Sequence, residues 1–213
     1  VLRPTTLAPV LAHHPQDAPW FADDRVLPGL SRAGAQDPVP ADSVHRTLRL
    51  VPTDAVGPGY ALLDAPDVDS VVAENRDLAA QLLAAADLWL FVTTAARYAD
   101  AVPWDLLDAA AQRRTQVALV LNRVDAHARA AITEHLEGML AERGHPDARV
   151  FPVDETTLVS GMLGPEPLEP LRAWLAAVTE PDERHLVVAA TFDGAVDDLG
   201  RRLADLAVAA REQ

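Results

Sequence analysis

Apolar residues follow two different spacings along this chain, and the spacings predict strands and helices in turn. Continuous or alternating apolar runs of four to eight residues predict strands at 44–51, 60–63, 88–92, 117–121 and 150–153. Apolar positions three or four residues apart predict helices at 72–86, 103–114, 126–143, 168–178 and from Asp182 to the C-terminus. Residues 1–43 show little periodicity apart from an apolar piece at 7–11, and they are expected to be mainly loop.

Strands that alternate with helices predict an α/β fold with a mostly parallel sheet between two layers of helices. The runs 88–92 and 117–121 contain no polar residue, which is typical of strands that are buried on both faces. The strands at 44–51 and 60–63 flank a turn at Gly57-Pro58-Gly59 and are expected to form a hairpin, with one antiparallel strand. We expect a three-layer domain over 1–181, followed over 182–213 by a C-terminal helix that ends this domain or begins a helical one.

Composition excludes several classes of function. A net charge of -14 argues against binding nucleic acid by phosphate neutralisation. The sequence has no Cys, which excludes disulfides and thiolate metal sites, and all 18 of its basic residues are Arg. No apolar stretch reaches the roughly 20 residues of a membrane-spanning helix, and no secretory signal is present. The expected location is cytoplasmic, with any peripheral membrane association through parts outside this sequence.

The most specific motif is Asn122-Arg123-Val124-Asp125, which directly follows the predicted strand 117–121. Ligands of parallel sheets lie at the carboxyl ends of the strands. There the Asn122 side chain can hold the loop, and the Arg123 stem can pack beside a base. The Asp125 carboxylate can accept hydrogen bonds from N1–H and the exocyclic amine of guanine, two donors that adenine lacks at those positions. The alternative is that Asp125 caps the following helix.

Three further segments have the right order for a nucleotide site. Asp64 ends the predicted strand 60–63, where a carboxylate can hold Mg²⁺ through water. The hydroxyl of Thr5 or Thr6, ahead of the expected hairpin, can complete Mg²⁺ coordination and close over a γ-phosphate. Asp154 and Glu155 follow the last predicted strand, where a loop can offer a backbone N–H to the base carbonyl.

Together these segments resemble the GTPase domain of dynamin-like and Era-like P-loop GTPases, over about residues 1–180. The similarity is closest to actinobacterial dynamin-family GTPases, through DAPDVDS, ADLWLFVTTAARYADAVPW and LNRVDA. The resemblance implies a GTP-binding, GTP-hydrolysing domain with GTP/GDP and Mg²⁺ as ligands, and a homodimer through the GTPase face. It also implies that Thr5 or Thr6 is the switch I threonine, that Asp64 opens switch II, and that Asn122 and Asp125 select guanine.

The sequence departs from the family pattern at several positions. Arg123 stands where the family usually has Lys, Asp67 replaces the Gly of the switch II motif, and Val68 replaces the Gln that orients water. The phosphate loop needs a Lys, and this sequence has none. We therefore expect the first strand and phosphate loop to lie upstream of Val1, and little GTP affinity or turnover from this chain alone.

Three alternatives stay open. A MinD- or ParA-type ATPase also ends its strands with similar motifs, but it would select adenine. A degenerate GTPase-like module would bind a protein partner without turnover, which the departures at Asp67 and Val68 favour. An α/β domain unrelated to nucleotides is the third.

Overall fold

The fold is described from a computed structural model, which describes residues 8–65, 73–98, 101–158 and 161–211. The chain forms two compact units, Val1–Ala86 and Asp87–Gln213. The expected boundary between residues 181 and 182 stays a prediction. Because both units contain helices and strands, the α/β class is confirmed. The sheet is mixed in the first unit and parallel in the second.

The first unit contains a four-stranded sheet in the order β2-β3-β1-β4. These strands are β1 (Val10–His13), β2 (Ser31–Gly34), β3 (Thr47–Pro52) and β4 (Ala61–Asp64). β1 and β2 both run parallel to β3, and β4 runs antiparallel to β1. The predicted hairpin is therefore wrong, because β1 lies between its two strands. Only the antiparallel direction of β4 agrees with the expectation.

Part of the region that the sequence predicts as loop is organised by short helical turns and by hydrogen bonds to its backbone carbonyls. The short helix α1 (Ala18–Phe21) follows a 3-10 turn at Pro15–Asp17. Arg32 on β2 directs its guanidinium back into the loop that joins α1 to β2. It donates hydrogen bonds to five carbonyl oxygens of that loop, those of Phe21, Asp23, Val26, Leu27 and Leu30. Because Arg has five N–H donors, this one side chain can hold five backbone carbonyls at once.

The core of the first unit is formed by leucines. Helix α2 (Ala73–Ala84) contributes Leu78 and Leu82 to it. The strands and the loop before β2 contribute the rest, which are Leu11, Leu27, Leu30 and Leu48. The strands are short, and only β1 and β3 contain fully buried side chains, two each. Helix α2 therefore supplies a large part of the cluster.

The second unit contains a parallel sheet in the order β5-β6-β7. These strands are β5 (Leu88–Thr94), β6 (Gln116–Val124) and β7 (Arg149–Asp154). The helices are α3 (Ala101–Gln112), α4 (Arg129–Glu142), α5 (Glu169–Val178) and α6 (Pro181–Arg211). The positions 117–121 of β6 are all buried, which confirms that this central strand is covered on both faces. The helix and strand predictions over 88–211 agree with these bounds to within a few residues.

β5 differs from its prediction in burial. The run 88–92 was expected to be covered on both faces, but only Trp89 is fully buried and Val92 is 68% exposed. The reason is position: β5 lies at the edge of the described sheet, with β6 as its one described strand neighbour. Apolar composition alone does not distinguish an edge strand from a central one.

Helix α6 packs against the loop after α3 through a narrow strip. Thr191 and Gly194 are its buried residues, and the Thr191 hydroxyl donates to the Asp87 carbonyl at 3.2 Å. An ion pair joins Arg114 to Asp197 at 2.9 Å. Among the described helices, including this one of 31 residues, none has the length and apolar content to cross a bilayer.

Candidate functional site

The carboxyl ends of β5, β6 and β7 form one edge of the parallel sheet, and most of the predicted site residues lie there. In the register of the sheet, Thr94 is opposite Asn122, and Val124 is opposite Asp154. Strand polarity therefore brings Asn122, Asp125 and Asp154 to the same edge, as the sequence predicts for residues that follow parallel strands.

Asn122 holds the chain where β6 leaves its regular course. Its side-chain Oδ1 accepts a hydrogen bond from the Arg123 backbone N–H at 2.9 Å. Its carbonyl accepts one from the Ala95 N–H at 3.1 Å, just beyond the end of β5. The side chain is half-buried. Asn122 therefore contributes two hydrogen bonds to this loop, and its part in nucleotide binding stays a prediction.

The backbone at Arg123 is left-handed, with a φ of 55°. The pairing between β6 and β7 shifts register between Leu121 and Val124, which marks a bulge at this point. A side chain other than Gly, Asn or Asp in this conformation costs about 1–2 kcal/mol, so the surrounding hydrogen bonds must hold it. Bulges beside functional sites change the direction of nearby side chains. The Arg123 side chain itself is exposed.

The Asp125 carboxylate lies at the surface of this edge, with a side chain that is 71% exposed. Its Oδ1 accepts a hydrogen bond from the His127 N–H at 2.8 Å and lies 3.2 Å from the His127 Nδ1. Helix α4 starts later, at Arg129, and no side chain caps its first residue. The alternative role of Asp125 as the cap of α4 is therefore wrong. Its hydrogen bonds shape the turn before that helix.

Asp154 is held by an arginine that the sequence analysis did not identify. Arg129 forms two hydrogen bonds to its carboxylate, one from Nε to Oδ1 at 2.8 Å and one from Nη2 to Oδ2. A cation at the start of a helix opposes the helix dipole, so this arginine needs a carboxylate partner. The position near the start of a predicted helix indicates that Arg129 favours an acidic partner, but no local pattern identifies Asp154 as that partner.

The backbone N–H of Glu155 makes a contact within the sheet, whereas the sequence predicts that this loop offers an N–H to the base. Its N–H donates to the Val124 carbonyl at 3.0 Å, which extends the pairing of β6 and β7 by one residue. In this arrangement the Glu155 N–H is engaged within the sheet. A backbone contact from this loop to a base carbonyl would fall to the residues that follow, Thr156 and Thr157, which are exposed.

The remaining predicted site residues fall by sequence in the first unit, Val1–Ala86. Thr5, Thr6, Asp67 and Val68 lie outside the described residues. Asp64 ends β4 in the first unit, where it is paired with Val10 in the register and is exposed. Within the described ranges, no group of three or more His, Asp or Glu residues is placed to hold a metal ion.

Comparisons of the chain with protein-family models, curated proteins and solved structures found no match.

Proposed function

We propose that the second unit contributes the base-recognition edge of a guanine-nucleotide-binding protein. One observation carries the proposal. The exposed Asp125 carboxylate lies at the carboxyl edge of a parallel sheet, directly after its buried central strand. This is the position at which ligands bind to such sheets.

The chemistry of Asp125 suits guanine better than adenine. A carboxylate is an acceptor only, and guanine offers it two adjacent donors, N1–H and the 2-amino group. Adenine presents an acceptor at N1, which would face the carboxylate unfavourably. One oxygen of Asp125 already accepts from the His127 N–H. Because each carboxylate oxygen can accept two hydrogen bonds, capacity for both guanine donors remains.

Asn122 and Arg123 would support this recognition indirectly. The bond from the Arg123 N–H to the Asn122 side chain fixes the left-handed turn, and that turn sets the path of the chain up to Asp125. The exposed Arg123 side chain can lie over a base face, since a planar guanidinium stacks on aromatic rings. The ion pair of Arg129 with Asp154 ties the start of α4 to the end of β7, which keeps the two loops in place.

The phosphate end of the nucleotide has no comparable support in the described residues. They assemble no acidic cluster for Mg²⁺, and the whole sequence contains no Lys to hold the β- and γ-phosphates. The magnesium ion, the roles of Thr5, Thr6 and Asp64, and GTP hydrolysis therefore stay implications of the resemblance to P-loop GTPases. We expect base-selective but weak binding, and no GTP hydrolysis, from the 213-residue chain.

Nucleotide titration followed by NMR of the ¹⁵N-labelled chain tests the proposal. GDP should shift the amide signals of residues 122–127, with an affinity at least about tenfold above that for ADP. The Asp125→Asn variant should lose about 10- to 100-fold in GDP affinity, because each hydrogen bond to a charged group contributes about 1.5–3 kcal/mol. The same variant should gain affinity for XDP, because xanthine has a carbonyl at position 2 that the Asn amide can donate to.

The matched control is Asp147→Asn. Asp147 is an exposed aspartate that precedes β7, so it lies toward the opposite edge of the same sheet. The control removes the same charge and should leave the GDP affinity unchanged. Equal shifts with GDP and ADP, or no shift with either at millimolar concentration, would overturn the proposal.

A further inference from the structure

Helix α6 carries a continuous line of exposed large apolar side chains. Each is between 53% and 67% exposed, and together we call them the α6 seam: Phe192, Val196, Leu199, Leu203 and Leu206. The spacings between them alternate between four and three residues, which is an average of 3.5. That period is the one that two helices share when they wind around each other. Ala189 and Ala210 continue the same spacing at the two ends.

The seam faces away from the unit to which α6 belongs. The contacts of α6 with that unit involve Gly194, packed on the Arg113 carbonyl, and Arg201, which donates to the Gln112 carbonyl at 3.0 Å. Nine residues separate Gly194 from Leu203, which at about 100° per residue places them on opposite sides of the helix. The seam is therefore not the face by which α6 is anchored in its own unit.

We propose that the α6 seam pairs with the α6 seam of a second copy of this chain, in an antiparallel two-helix arrangement. The proposal is independent of nucleotide binding. A helix of 31 residues is about 46 Å long, which gives room for six layers of paired side chains. A symmetric dimer needs one surface that is complementary to itself, and the order of residues along α6 meets this condition.

An antiparallel register matches large side chains with smaller ones. If Val196 faces Leu199 of the second copy, Phe192 faces Leu203 of that copy. Ala189 then faces Leu206 of the second copy in the next layer. A parallel pair in register would instead place Phe192 against itself and Ala189 against itself, which produces one crowded and one empty layer. Opposed helix dipoles also favour the antiparallel pair.

The residues beside the seam allow close approach. Four of the flanking positions are small residues: Ala195, Gly200, Ala207 and Ala209. The flanking charges are Asp193 on one side and Arg202 on the other. In the antiparallel register Asp193 lies nearest Gly200 of the second copy, and Arg202 lies nearest Ala195. No like charges meet, despite the net charge of -14 on each chain.

The apolar area corresponds to a weak but specific pair. Covering a side chain of this size removes roughly 100 Å² from water, so the five seam residues of two copies bury roughly 1,000 Å² in total. That is near the lower limit for a specific interface. Val188, which is also exposed and lies beside the seam at about 100° per residue, adds to the area at the amino-terminal end of α6.

Sedimentation equilibrium of the 213-residue chain tests the pairing. Over about 5–500 µM the mass should rise toward twice the 22.8 kDa of one chain. Leu199→Glu combined with Leu203→Glu should weaken the dimer at least tenfold, because the seam would then bury four carboxylates. Val208→Glu is the matched control, since Val208 is equally apolar and exposed but lies on the opposite side of α6. It should leave the dimer unchanged.

Cross-linking tests the orientation, and the absence of Cys makes each result specific. Mixed Phe192→Cys and Leu203→Cys chains should form a disulfide between them. Leu206→Cys chains should not cross-link to each other, because the antiparallel register places the two Leu206 positions about 25 Å apart along the helix axis. A disulfide in the Leu206→Cys protein would indicate a parallel pair and overturn the proposal. A monomer throughout the concentration range would also overturn the proposal. It would indicate that the seam does not pair with α6 of a second copy.

Discussion

The substitution Gly194→Ala sets two opposite effects against each other within α6. Alanine in a helix interior is about 1 kcal/mol more favourable than glycine, so an isolated helix would gain stability. In the structure, a Cβ at position 194 would lie 1.8 Å from the Arg113 carbonyl oxygen and 2.3 Å from its carbon. Real Cβ atoms do not approach so closely, and the contact is with backbone rather than with a flexible side chain. Helix α6 would have to withdraw by more than about 1 Å, as in other overpacked sites.

That withdrawal would weaken the contacts that anchor α6. The hydrogen bond from Thr191 to the Asp87 carbonyl is already 3.2 Å long, and the Arg114–Asp197 ion pair is partly exposed. Overpacking costs about 1–3 kcal/mol, and a lost hydrogen bond about 1 kcal/mol. After the gain in helix propensity, we expect Gly194→Ala to lower the free energy of unfolding by about 1–3 kcal/mol.

Urea unfolding followed by circular dichroism measures this change. Gly200→Ala is the control on the same helix, because a Cβ there meets no atom within 4 Å. It should raise the free energy of unfolding by about 0.5–1 kcal/mol, when both variants are measured at the same low protein concentration. If the two alanine variants are stabilised equally, α6 does not pack on the Arg113 backbone and the reasoning fails.

Two further predictions concern the second unit. Arg129→Ala should cost at most about 1 kcal/mol of stability, since its pair with Asp154 is partly exposed. It should also loosen the loop after β7, which faster amide exchange at residues 154–157 would detect; unchanged exchange would contradict the role of the ion pair. Desolvation raises the pKa of the Asp87 carboxyl above 3.8, its ordinary value, so the folded state binds a proton more tightly than the unfolded state and stability falls as pH rises through that range. Asp87→Asn should therefore be slightly more stable than the native chain at about pH 7 and equal to it near pH 3, and the reverse order in thermal melts would refute this.

The sequence predicts the helices and strands of the second unit well because their signals are local. β6 contains an uninterrupted apolar run over 117–121, and α4, α5 and α6 keep helical spacing over ten residues or more. The strands β1 and β2 have only four residues each, and β2 contains Ser, Arg and Gly. Such segments become strands through pairing with β3, which is distant in sequence. Strand order is equally non-local, which is why β1 enters between β3 and β4 without a sequence signal.

The sequence likewise predicts only part of the candidate site. Asn122, Asp125 and Asp154 could be placed at one edge from the sequence, because parallel strands end on the same side. The hydrogen-bond partners of these residues could not be predicted from the sequence. His127 binds Asp125 through a turn of three residues, and Arg129 reaches Asp154 across 25 positions of chain. The bulge at Arg123 depends on the pairing of β6 with β7, which no local pattern records.

The glycines of α6 show how one local signal can have two different structural causes. Gly194 and Gly200 both weaken the helix in isolation, and from sequence alone they are equivalent. Gly194 faces the Arg113 backbone at a distance that no other residue permits, whereas Gly200 lies beside the seam with open space around it. The first glycine is required by a contact within the chain. At the second glycine, a Cβ would meet no described atom within 4 Å. The missing side chain leaves space beside Leu199 and Leu203 for another helix to approach closely.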